Sequence, residues 1–188
     1  MEKPKGYAEH SGKAVETNGE FEHVMALTLD PRTDYKDGVI RCITNRSGDV
    51  ATSGYIDRSV LHKVHGDSLG HFFINERLAI ENQDEIVSQL SGGKLDFLGL
   101  EDPDIFINEK TGLIHLYFTM PFHNKGKHGM LIHLGHAVGK DLDSLAMTAP
   151  VLMDEGMGGA KEVSIAPVNK QGFHYNLVES SASEKDFT

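Results

Sequence analysis

One pattern recurs along this chain and limits its fold more than any single segment does. A carboxylate leads an apolar, β-branched run. A turn rich in Asn, Lys and Gly follows, a second apolar run returns, and a polar turn closes the unit. The pattern is plain from Asp102 to Thr119 and again from Glu162 to Glu179, with a weaker copy over residues 24–44. Four-stranded units repeated at roughly 40–60 residues are the mark of propeller blades. An antiparallel sandwich shares the strand length and turn spacing. The return of the carboxylate to the same place in the unit favours the propeller.

The central copy shows why each unit begins as a hairpin. Ile105, Phe106 and Ile107 lead into a turn at 108–112 that ends in Gly112, and Leu113, Ile114, Leu116, Tyr117 and Phe118 come after it. β-Branched and aromatic runs on both sides of a short glycine-containing turn predict two paired strands. Pro103 has no N–H to give to a ladder, which predicts that it stands at the first residue of its strand. Asp102 is then held at the strand mouth, where a carboxylate can meet a ligand.

Upstream, apolar runs at 24–29, 38–44, 52–56, 60–64 and 71–74 predict strands separated by polar turns. Residues 81–90 are the one fair helix candidate, ended by Gly92 and Gly93. Downstream, a long turn is predicted over 120–129, with strands at 130–137 and 150–153 as the third and fourth of the central unit. Residues 1–22 carry almost no apolar side chains and predict a flexible arm, leaving 23–188 as the single folded domain.

Charge and composition exclude some partners. A net charge of −10 argues against nucleic-acid phosphates, which need clustered Lys and Arg. Cys42 is the single cysteine and lies in an apolar run, so it predicts a buried, inert thiol rather than a disulfide. No apolar run approaches the roughly 20 residues of a membrane span, and residues 1–20 lack a signal-peptide apolar core. The expected compartment is the cytoplasm, with no membrane partner, and nothing in the chain calls for a cofactor.

The string Glu101-Asp102-Pro103-Asp104-Ile105-Phe106, with Gly112 and Leu116-Tyr117-Phe118-Thr119, resembles the second-blade opening of the five-bladed propeller glycosidases. That group holds glycoside hydrolase families 43, 32, 68 and 130. Ile132-His133-Leu134-Gly135-His136-Ala137 is similar to the third strand of that blade, with Lys140-Asp141-Leu142 and Pro150-Val151-Leu152 after it. Glu162, Pro167 and the run from Gly172 to Val178 resemble the third-blade opening. The resemblance covers residues 98–180. It implies an all-β chain of the five-bladed β-propeller type, of which about two and a half blades fit in 188 residues. Either the chain is a fragment of a longer protein, or its ring is left open, which exposes strand edges and implies self-association.

The resemblance also implies a carbohydrate substrate and a reaction at a glycosidic bond. Such chemistry takes one carboxylic acid to protonate the leaving oxygen and one carboxylate to activate water or attack carbon. By resemblance to family 43, Glu162 is the acid and Asp102 the carboxylate that orients it. By resemblance to family 130, Asp102 is itself the proton donor, although that family usually has Arg where this chain has Asp104. A phosphorylase, or a non-catalytic carbohydrate-binding propeller, therefore stands beside the hydrolase. If the inner strands begin on one face, Glu101, Asp104, Arg46 and His123 are placed to bind the sugar, with His128 and Glu179 also near the ring of loops.

A first-unit base is expected as well. Asp30, before Pro31, is the tempting choice, but it stands at the far end of the strand over 24–29. Each reading has a plain structural counterpart. Asp before Pro often caps a turn, and Arg46 in a Ser-Gly-Asp turn suits a solvated surface. His133 and His136, three apart on a strand, face opposite sides and cannot share a metal. No His/Cys cluster has zinc spacing, so no metal is expected. The chain has no Trp to stack on a sugar; Phe106, Phe122, Tyr117 and Tyr175 are the substitutes, if they are not core.

Overall fold

A computed structural model describes residues 14–17, 19–48, 51, 54–68, 70–124, 129–154, 159–173 and 176–180. The first sheet contains β1 (Val15–Glu16), β2 (His23–Leu29), β3 (Asp37–Ser47), β4 (Ile56–Ser68) and β5 (His71–Arg77). Strands β2 to β5 form an antiparallel meander, and β1 adds to its outer edge in parallel with β5. Helix α1 (Gln83–Ser91) follows, close to the predicted 81–90, and Gly92 closes it at positive φ. The second sheet holds β6 (Leu95–Phe97), β7 (Glu101–Ile107), β8 (Ile114–Asn124), β9 (Met130–Gly139) and β10 (Ala146–Met147). β11 (Ala160–Ile165) and β12 (Asn176–Ser180) form a hairpin of their own.

Two meanders and a hairpin make about two and a half propeller-type units, as the repeat predicts. The leading strands lie side by side, with β7 between β2 and β11. The Thr28 Oγ1 accepts the Ile105 N–H at 3.1 Å, and the Thr119 Oγ1 accepts the Glu162 N–H at 3.3 Å. Threonine side chains thus couple one unit to the next where no ladder joins them.

Alternation explains the core. On β8, Ile114, Leu116, Phe118, Met120 and Phe122 are each fully buried, all on one face of a period-two strand. They pack with Val39, Leu61, Leu78 and Leu145 between the two large sheets. Burying a side chain of that size stabilises by about 1.5–3 kcal/mol. β3 is covered on both faces. Val39 joins the core between the sheets, while Ile40 and Cys42 turn the other way toward Val64 and Phe72. Burial pushes the Cys42 thiol up to about 12, so it stays protonated and inert.

Several boundaries differ from the sequence reading. Of the run at 52–56 only Ile56 is strand among the described residues, and it joins 60–64 in a single long strand, β4, because Ile56, Asp57 and Arg58 continue its ladder with β3. β8 continues through Phe122 and His123 to Asn124, pairing with β6 and β9, so the turn predicted from 120 begins later. The fourth strand of the unit is Ala146–Met147 rather than 150–153; Leu152 makes only an isolated bridge to Leu134. The tight turn stapled by Asp141 and Ser144 returns the chain to β9 early. No helix among the described residues is long and apolar enough to cross a membrane.

Candidate active site

The three leading strands share an irregularity. Each ladder shifts register near its start: between Met25 and Leu27 on β2, Glu101 and Asp104 on β7, and Lys161 and Val163 on β11. Each shift contains a non-glycine residue at positive φ: Ala26 at 53°, Asp102 at 46° and Glu162 at 52°. A bulge turns a side chain out of the regular alternation and re-aims it. Pro103 sits inside the β7 bulge, where no ladder hydrogen bond is required of it, rather than at the first residue of the strand. Two of the three bulges carry carboxylates, and both line one cleft of about 880 Å³. The first carries Ala26.

Glu101, Arg46 and His123 line the same cleft. Asp104 does not. It lies past the bulge, half-buried, and accepts the Ile165 N–H; burial raises its carboxyl. Asp30 stands away from the cleft as well, at the far end of β2. It is buried, accepts from the Arg32 backbone and side chain, and caps the 3₁₀ turn at Pro31–Thr33. Its neighbours Lys63 and Asp143 line a separate depression. Of the proposed stacking aromatics, Phe122 is fully buried and Phe106 and Tyr117 pack near His115 and His136. His128, Tyr175 and the Glu179 side chain lie outside the described residues.

The floor of the cleft is an ion network centred on a residue the sequence reading passed over. Arg41 Nη1 donates to Asp102 Oδ1 at 3.0 Å, and its Nη2 to Glu101 Oε1 at 2.6 Å. Its Nε donates to Ser59 Oγ at 2.9 Å, and Asp57 stands 3.8 Å away. The side chain is 9% exposed. Its signal in the sequence was a lone cation inside the apolar run from Val39 to Ile43. Alternation sends it to the same face as Val39, toward the second sheet.

Gly99 lets that contact form. It stands at φ 120°, bridged to Ser59, and a Cβ there would meet the Ser59 carbonyl at 1.8 Å. A glycine alone allows β7 to start so close to β4. Asp57 in turn holds Arg46 in a bidentate pair, with Nε to Oδ1 at 2.6 Å and Nη2 to Oδ2 at 2.7 Å. Arg46 is therefore a bound cation and not a solvated one.

One cation serves two partly buried carboxylates. Burial pushes the Glu101 carboxyl up to about 7, against the pull of Arg41 and with Asp102 adding to the rise. Near neutrality Glu101 can hold a proton, and Asp102 then has the Arg41 charge to itself. Glu162 lines the same cleft half exposed, with Lys161 Nζ 3.5 Å from its carboxyl. The arrangement offers a proton-holding acid, an ion-paired carboxylate and an accessible carboxylate in one cleft.

The histidines do other work. His115 and His136 meet at 3.0 Å, and His136 reaches Thr148 Oγ1 at 2.9 Å. Burial, then His115, lowers His136 to about 4. His133 Nδ1 accepts the Asp154 N–H. Among the described residues no three His, Cys, Asp or Glu side chains group as a metal site.

Neither a protein-family model nor a curated protein matches the chain. Among solved structures it is similar to an exo-β-1,3-galactanase from Phanerochaete chrysosporium, solved with galactose, at a TM-score of 0.46 and 11% identity. The match covers 78% of this chain and 30% of the galactanase chain. A likeness at that level says nothing about the reaction.

Proposed function

We propose that this chain forms part of a glycoside-active enzyme, with the 880 Å³ cleft as its sugar site. One observation carries the reading. Asp102 and Glu162 stand at matching bulges on neighbouring inner strands and line the same cleft. Glycosidic bond cleavage needs two carboxyl groups converging on one sugar, each with its own environment. Glu162, accessible from the cleft, acts as proton donor to the leaving oxygen. Asp102, fixed by Arg41, orients it and stabilises the positive charge that develops on the sugar.

Ala26 supports a second reading, phosphorolysis. The first unit presents no carboxylate at its bulge to activate water. A nucleophile that arrives already anionic, such as phosphate, does not need one. One experiment separates the two readings. Aryl glycosides are incubated with the protein, with and without phosphate, and the products are resolved. Free sugar formed without phosphate supports hydrolysis; sugar 1-phosphate formed only with phosphate supports the second reading. No cleavage under either condition rejects both.

A further inference from the structure

We propose that Tyr55 is the stacking platform of the cleft for a neutral sugar ring, held in place by Arg46 and Asp57. The proposal rests on the sugar reading of the cleft and deepens it. A sugar has polar edges and an apolar C–H face. Carboxylates and cations can take the hydroxyls, but the C–H face needs an aromatic or aliphatic surface. The chain has no Trp, and of the aromatics singled out from the sequence Phe122 is buried and Phe106 and Tyr117 are engaged elsewhere. Tyr55 lines the cleft and is 43% exposed.

The ring is also pre-positioned. The Arg46 guanidinium carbon lies 4.9 Å from its centroid, a cation–π contact. Arg46 cannot swing away freely, because Asp57, itself only 7% exposed, grips it through both Nε and Nη2. Asp57 is within 3.8 Å of Arg41, which holds Asp102. A continuous set of charged contacts thus connects the platform to the carboxylate proposed for the chemistry. A side chain ordered before the ligand arrives loses less entropy on binding. With its charge answered by Asp57, Arg46 is a positioning residue for Tyr55, and the subsite suits a neutral ring rather than an acidic sugar.

The absence of Trp makes a direct test practical, since intrinsic emission comes from tyrosine alone. Binding of methyl glycosides of galactose, glucose, mannose, arabinose and xylose is measured by calorimetry for the parent, Tyr55→Ala and Tyr55→Phe. Tyrosine emission is followed in parallel. The expected result is at least one methyl glycoside that binds the parent, about tenfold weaker binding by Tyr55→Ala, and binding by Tyr55→Phe within about twofold. Tyr55→Phe should also lose the ligand-induced change in emission while keeping affinity. Equal affinity of parent and Tyr55→Ala overturns the platform and leaves the sugar reading standing. If Tyr55→Ala does not fold, an emission change that survives in Tyr55→Phe overturns it instead. If none of the glycosides binds the parent, the sugar reading fails and the platform with it.

Discussion

Asp102 and Glu162 occupy the same place in successive inner strands, each at a bulge and each at positive φ, 46° and 52°. Left-handed backbone costs an ordinary L-residue about 1–2 kcal/mol. That cost is met twice to aim carboxylates at one cleft, and once more at Ala26, which brings no functional group.

Removing the two carboxylates should separate chemistry from fold. We expect Glu162→Gln to lower turnover of an activated glycoside by about 10²–10⁴-fold, the usual contribution of a positioned acid. Asp102→Asn should lower it too, with melting temperature as the check on folding. Asp30→Ala serves as the contrast. Asp30 caps a turn beyond the cleft, so the variant should lose about 1 kcal/mol of stability and keep its turnover.

Arg41→Met leaves Glu101 and Asp102 facing each other, with Asp57 nearby, and no shared cation. Breaking a buried pair on one side costs about 3–5 kcal/mol. Urea unfolding at pH 8 should show a loss of that order. At pH 5 the loss should shrink, because Glu101 is then protonated. Equal losses at both values would mean that the network is not electrostatic in origin.

Two groups give stability an opposing pH dependence. Glu101 titrates at about 7 in the folded chain against an ordinary 4.5, so its favourable contribution is present at low pH and is lost as pH rises from 4.5 through 7. His136 titrates at about 4 against 6.5, so its contribution is present above 6.5 and is lost as pH falls through 4. Between 4.5 and 6.5 the two slopes oppose each other. Glu101→Gln should uncover a rise in unfolding midpoint with pH across that window, read by urea titration in steps of one pH value.

Ala26→Gly should stabilise the chain. Glycine accepts φ 53° without a Cβ penalty, at the cost of a more flexible unfolded state. The balance favours glycine by about 1 kcal/mol, which for a domain of this size raises the melting temperature by about 2–4 °C. A lower melting temperature would show that the Ala26 methyl packs usefully.

The amino-acid pattern alone determined the units: most of their strands, the helix near 81–90, the two leading carboxylates and the count of about two and a half repeats. These are local properties, set by alternation, turn residues and chain length. Only the tertiary structure decided which of those carboxylates meet. In a regular strand Asp102 and Asp104 face the same way; the β7 bulge sends Asp102 to Arg41 and Asp104 to Ile165. Arg41 finds its partners 60 and 61 residues away, across two sheets brought together by the buried face of β8. Nothing next to Arg41 in the chain names those partners, because an ion pair forms wherever packing leaves opposite charges together and water excluded.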